Sequence, residues 1–234
     1  SVVRFSCSRP DRARAQYRRR ARQQAFLETI MEQVKFTEMK YGDVEDYQFL
    51  HGEELKYVAG TGERLLDALL ALGDSMGGYQ VTRLDHSLQS ATRAWHDGAD
   101  IDWVVAALLH DIGDPIAPYN HDEYAALVLK PFVREQVTWT VEVHGDFQKI
   151  YYADKVGGNP NSRDKHAGHA YYDDCVEFCE RWDQASFDPG HDTLPLEFFR
   201  PMVLEVFARE PHDPAVIRPG VREPLVTDID RSAA

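Results

Sequence analysis

Val104-Val105-Ala106-Ala107-Leu108-Leu109-His110-Asp111-Ile112-Gly113 is the stretch on which the reading of the fold turns. Its apolar run is flanked by Asp102 upstream and by Gly113 and Pro115 downstream. This is the pattern of a buried helix over residues 103–112, with Asp102 as its cap and the glycine and proline ending it. The helix delivers His110 and Asp111 from an otherwise apolar element. Burying a charge without a partner costs several kcal/mol. A metal cation removes that cost, and a carboxylate, unlike an imidazole, can bridge two cations.

Outward from this stretch the signals are helical. Residues 24–40 read as a helix, and residues 41–62, punctuated by Gly42, Gly52, Gly60 and Gly62, as irregular structure with short turns. An amphipathic helix over residues 63–72 stops at Gly73, and another over residues 81–95 follows Gly77 and Gly78. Ala125, Ala126, Leu129 and Phe132 mark the buried stripe of a helix over residues 122–133, and a further helix covers residues 138–148. Residues 155–168 form a polar loop. Tyr171, Cys175, Phe178, Cys179 and Trp182 repeat at helical spacing, so residues 171–182 form a core helix that delivers Asp183 at its end. A last helix spans residues 196–208, and the tail from Pro211 wraps the surface or frays. The expected class is all-α: a basic lead-in (1–25), a helical domain (26–210) that holds the candidate metal ligands, and a Pro-rich tail (211–234).

Composition bounds the function. The net charge is −13, but residues 1–22 hold eight Arg against one acid, which leaves residues 23–234 at −20. A domain of that sign repels polyphosphate backbones, which argues against nucleic-acid binding by the folded part. The Arg-rich start is open to several readings: a floppy tail, an anion-binding arm or an organellar targeting remnant. No apolar run approaches the ~20 residues of a membrane span. Three cysteines, Cys7, Cys175 and Cys179, are too few for a disulfide framework. The expectation is a cytoplasmic protein, a monomer or small homo-oligomer, acting on a small molecule.

Further candidates join His110 and Asp111. His86 lies on the inward face set by Leu84, Leu88 and Ala91; His121 opens one helix, and His144 lies within the next beside Val137 and Val141. Each alone reads as a core histidine, and Asp183 alone as a cap. Together they offer nitrogen and carboxylate ligands suited to iron, manganese or zinc.

The spacing His86 … His110-Asp111 … Asp183, centred on Leu108-Leu109-His110-Asp111-Ile112-Gly113, resembles the motif of the HD superfamily over residues 63–207. His121-Asp122-Glu123-Tyr124-Ala125-Ala126, with His144 following 23 residues after His121, is similar to the third and fourth histidine segments of the HD oxygenases, the group of myo-inositol oxygenase and the 2-amino-1-hydroxyethylphosphonate oxygenase. Val81-Thr82-Arg83-Leu84-Asp85-His86-Ser87-Leu88-Gln89-Ser90-Ala91 and Arg181-Trp182-Asp183-Gln184 look most like the phosphonate group. The resemblance implies an HD-type helical bundle around a two-metal core. One iron would be held by His86, His110, Asp111 and Asp183, and the other by His121 and His144, with Asp111 bridging. The implied cofactor is an Fe(II)/Fe(III) pair and the implied co-substrate O2, with His110 and Asp111 at the catalytic centre. The reaction that the resemblance implies is oxidation at the hydroxyl-bearing carbon of the substrate, leading to C–C or C–P cleavage.

The sequence departs from the phosphonate group in four places. Met76 and Tyr79 stand where that group carries Tyr and Glu, and Asp114 and Gln148 where it carries cationic or imidazole groups. A phosphonate dianion would be poorly held beside Asp114, so an uncharged or cationic head group is expected. Tyr79, Arg83, Asp114, Gln148, Arg163, Lys165 and His169 are the candidate substrate-binding residues, with Lys149 and His166 as further possibilities. Two alternatives remain open: an HD phosphohydrolase using Mn or Zn on a phosphate ester, and a non-catalytic HD binding module, which would be expected to lack a ligand that is present here.

Overall fold

The computed structural model describes residues 33–227, and every regular element among them is helical, with no strand among the described residues. The basic lead-in and the last seven residues of the tail lie outside the described residues, as does the start of the helix expected over residues 24–40. The described part of that segment forms bends and a 3-10 turn, Met39–Tyr41, in place of a helix. The chain divides after Val58 into two compact units.

In the first unit, α1 (Val44–Ala59) replaces the irregular structure expected over residues 41–62. The Asp46 N–H donates to Asp43 Oδ1 at 2.9 Å and the Asp43 N–H to Asp46 Oδ2 at 3.1 Å. This reciprocal pair caps the first turn as a capping box does. Gly52 inside the helix costs only about 1 kcal/mol relative to Ala, too little to break a sixteen-residue helix in which the good helix formers Glu53, Glu54, Leu55 and Lys56 follow it directly.

The second unit begins with α2 (Thr61–Leu70) and a 3-10 turn, Ala71–Asp74, then α3 (Arg83–His96). Thr82 accepts the Asp85 N–H and Asp85 accepts the Thr82 N–H, a capping box that fixes where α3 starts. α4 (Ile101–Leu109) follows, but its cap is Asp100, which accepts the N–H groups of Asp102 and Trp103. The expected cap, Asp102, is instead buried and ion-paired with Arg134 and Arg209. Next come α5 (His121–Leu129) and α6 (Glu135–Tyr152), then α7 (Tyr172–Phe178), which runs into a π turn, Cys179–Asp183. α8 (Leu196–Phe207) and the single turn α9 (Pro214–Ile217) complete the order.

α4 is the centre of this unit. Trp103 through Leu109 are fully buried, and the helix packs on α3, α6 and α8. Trp103 meets the rings of Phe178 and Trp182 at 6.2 and 6.1 Å, so α7 and its π turn close the same core. Truncating Leu108 or Leu109 to Ala would cost about 2–5 kcal/mol. The described tail wraps the unit: Leu225 is buried, and Gln136 exchanges two hydrogen bonds with the Glu223 backbone. No helix among the described residues is long and apolar enough to cross a membrane.

Candidate metal centre

The inner end of α4 meets α3, α5, α6 and the π turn at one point, and each contributes a ligand-type side chain. α4 stops at Leu109 because the chain turns there: the His110 imidazole donates Nδ1–H back to the Ala107 carbonyl at 2.8 Å, and Ile112 N–H bonds Leu109 O. The turn then brings Gly113 against the first residue of α5, where a Cβ would lie 2.7 Å from the His121 carbonyl oxygen. Only glycine permits that approach, and it places His121 beside Asp111. In the π turn the Gln184 N–H reaches back five residues to Cys179 O, and the extra residue sets Asp183 facing His86 and His110.

All six expected ligand residues converge. Asp111 Oδ2 lies 3.3 Å from both His86 Nε2 and His110 Nε2. Asp111 Oδ1 lies 3.3 Å from His121 Nε2 and 3.5 Å from His144 Nε2. Asp183 Oδ1 stands 3.2 Å from His86 Nε2 and 3.5 Å from His110 Nε2. Three overlapping triads, His86–His110–Asp111, His110–His144–Asp183 and Asp111–His121–His144, bring their ligand atoms within 4.8 Å of one another. Two ligands each about 2.1 Å from a shared ion, at 90–109°, stand roughly 3.0–3.4 Å apart. The observed separations therefore suit a cation among them.

The hydrogen bonds around the cluster favour the same conclusion. His86, His110 and His144 direct Nδ1 at the carbonyls of Ser186, Ala107 and Val141, at 3.0, 2.8 and 2.7 Å. A carbonyl only accepts, so each Nδ1 carries the proton and each Nε2 of the neutral ring is a lone pair aimed inward. His86 and His110 then set two such nitrogens 3.1 Å apart, an arrangement that needs a proton or a cation between them. Asp183 Oδ2 is buried with no hydrogen-bond partner.

Protonation is the metal-free way to satisfy this cluster. Burial opposes charge on His110, but Asp111 and Asp183 outweigh it and hold its pKa well above the ordinary imidazole value. His86 and His144 are raised against burial in the same manner. Burial likewise opposes ionisation of Asp111, yet His110 and Arg83 keep it well below the carboxylate range, and the histidines lower Asp183 too. Metal binding would displace those protons and take over the neutralisation.

A cavity of about 690 Å³ opens onto the centre. Four of the expected substrate residues, Tyr79, Arg83, Asp114 and Gln148, line it. Asp114 is not available to a cationic head group as expected: Arg83 Nε donates to it at 2.6 Å while Arg83 Nη2 holds Asp111 Oδ2 at 2.5 Å. Arg163, Lys165 and His169 are not among the lining residues. Lys165 pairs with Asp146 at 2.7 Å, and the His169 ring stacks on Trp139 with centroids 3.8 Å apart. Asp146 lies two residues past His144 on α6, hence on another face, and its pairs hold the 3-10 turn Ser162–His166 there. Phe187, Tyr151 and Tyr152 line the cavity without having been foreseen. Phe187 stacks on His86 at 4.4 Å, and its closeness in sequence to Asp183 was the available signal. No family model matches this chain, and no curated protein matches it.

Proposed function

We propose that the chain is an HD-type dinuclear metalloenzyme, an O2-dependent diiron oxygenase that oxidises or cleaves a small hydroxylated substrate at its hydroxyl-bearing carbon. The observation that carries the proposal is the division of Asp111: one oxygen faces His86 and His110, the other His121 and His144. A carboxylate so placed suits a bridge between two ions, and the His…His-Asp…Asp order along the chain supports the HD assignment.

Bound there, an iron pair would supply the electron needed to activate dioxygen and the Lewis acid that holds the substrate hydroxyl. The chain's own residues do the rest. His86, His110 and Asp183 would hold one ion with Asp111, and His121 and His144 the other. The three carbonyls that accept Nδ1–H fix the ring orientations, and Arg83 steadies Asp111 from the cavity side. His121 keeps 24% of its side chain exposed whereas His86, His110 and His144 keep at most 3%, so substrate approaches from the His121 side. Phe187 covers His86 and keeps water from that half.

A metal-dependent phosphohydrolase would use the same ligands. Phosphate clamping also calls for free cations, and Arg83, the one Lys or Arg on the cavity wall among the described residues, is tied to two carboxylates. The discriminating experiment is low-temperature EPR on protein purified under limited oxygen and titrated with mild reductant. Two irons per chain with a mixed-valent S = 1/2 signal are expected. Anaerobic turnover of phosphomonoesters with Mn, without such a signal, would point to the hydrolase.

A further inference from the structure

We propose that the substrate is an uncharged alcohol with an aromatic or similarly planar apolar body, seated between the Tyr79–Phe187 ring pair and the side chains of Tyr151 and Gln148. The proposal rests on the preceding reading of the centre as a substrate-oxidising site.

Outside the six ligand-type residues of the centre, the charges on the cavity wall are already committed. Arg83 Nη2 lies within 2.6 Å of both Asp111 and Asp114, and its Nε also donates to Asp114. Asp114 stands in addition 3.6 Å from His121 Nδ1. An anionic head group would have to break an Arg83 pair to gain a partner, and a cationic one would have to compete with Arg83 for Asp114. Truncating or opening a buried charge pair is costly. Away from the metals, neither charge class has a ready seat.

Two uncharged hydrogen-bonding side chains, by contrast, are uncommitted. Gln148 and Tyr151 both line the cavity, and neither side chain makes a hydrogen bond to other described residues. Burial pushes the Tyr151 phenol up to about 12, so it remains a neutral donor. Gln148 lies one helical turn past His144 on α6, which sets its amide beside the centre. Phe187 stacks on His86 at 4.4 Å, and the Tyr79 ring meets Phe187 at 4.9 Å, tilted by 32°, so the three rings form an aromatic wall running on from the centre. Such walls favour offset-stacked rings. A space of about 690 Å³ fits a ligand with a substantial apolar body and is far larger than a three-carbon polyol.

The test is isothermal titration of the metal-loaded full chain, kept anaerobic, with three probes: 1-phenyl-1,2-ethanediol, glycerol 3-phosphate and choline. The neutral aryl diol is expected to bind at least tenfold more tightly than either charged probe. Phe187→Ala should weaken it about tenfold, Phe187→Leu less, and Tyr151→Phe about threefold, with circular dichroism and metal content unchanged. Tighter binding of glycerol 3-phosphate or of choline would overturn the proposal, as would an aryl diol affinity that Phe187→Leu and Tyr151→Phe both leave unaltered in folded protein. Metal content and oxygen uptake separate the two levels. Preferential binding of the diol to a protein whose iron-loaded form never consumes oxygen with any alcohol would sink the oxygenase and leave the binding preference standing. A charged probe winning on a two-iron protein would do the reverse.

Discussion

Replacing Asp102 by Ala should destabilise the second unit by about 3 kcal/mol. The carboxylate is buried and accepts three hydrogen bonds: the Arg134 N–H at 3.2 Å, Arg134 Nη1 at 3.1 Å and Arg209 Nη1 at 2.7 Å. It thereby ties the start of α4 to the start of α6 and the end of α8. Removing one partner of a buried ion pair costs about 3–5 kcal/mol, because the charge left behind stays buried. Here the loss falls at the low end. Arg134 keeps Asp100 at 2.8 Å and Arg209 keeps the Phe132 carbonyl at 2.8 Å. A loss of that size is a large part of the 5–15 kcal/mol typical of a folded domain, and corresponds to a fall in Tm of about 6–12 °C. Urea denaturation of chelator-treated protein measures it. Glu63→Ala, which removes an ion pair to Arg200 that is about half exposed on both sides, is the control and should change stability by less than 1 kcal/mol. A loss below 1 kcal/mol for Asp102→Ala, equal to the control, would refute the reasoning.

Other outcomes follow from the centre itself. In chelator-treated protein the raised pKa values of His86, His110 and His144 stabilise the fold fully below the unfolded imidazole value of about 6.5, and that contribution is lost as pH rises through the folded values. Its urea midpoint should therefore fall between pH 6 and pH 8.5, whereas metal-loaded protein, whose ligands must be deprotonated, should show no such fall; a flat profile without metal would contradict the cluster's electrostatics. Gly113→Ala forces a Cβ to within 2.8 Å of the His121 backbone Cα as well as its carbonyl, atoms that cannot yield without moving the start of α5. With two ions bound as proposed, that variant should retain the one at His86, His110 and Asp183 and lose most of the one at His121 and His144, so elemental analysis should approach one ion per chain; two full equivalents would show that the close approach does not set the second half of the centre.

The helical frame was legible where periodicity and punctuation agreed. α3 and α8 lie close to their expected bounds, and the apolar run before His110 read directly as the most buried helix. Glycines misled where they were taken as breaks: Gly52 sits inside α1 because the Asp43–Asp46 pair and good helix formers outweigh it. Asp100 and Asp102 are both plausible caps by residue type, and only the arginines that reach Asp102 from α6 and α8 decide between them. The six ligand-type residues were legible as a set because imidazoles and carboxylates on inward helix faces need a shared partner. The cavity wall was less so. Arg83 and Asp114 are 31 residues apart and their pairing is a tertiary fact, while Lys165 and His169 are drawn to Asp146 and Trp139 on a face that sequence spacing does not reveal.

The proposed bridging of two metal ions by Asp111 is tested most directly by anomalous diffraction at the iron absorption edge, from crystals of protein purified under limited oxygen. Two peaks are expected, one bounded by His86, His110 and Asp183 and the other by His121 and His144, each in contact with one Asp111 oxygen. A single peak, or metal bound away from Asp111, would contradict it.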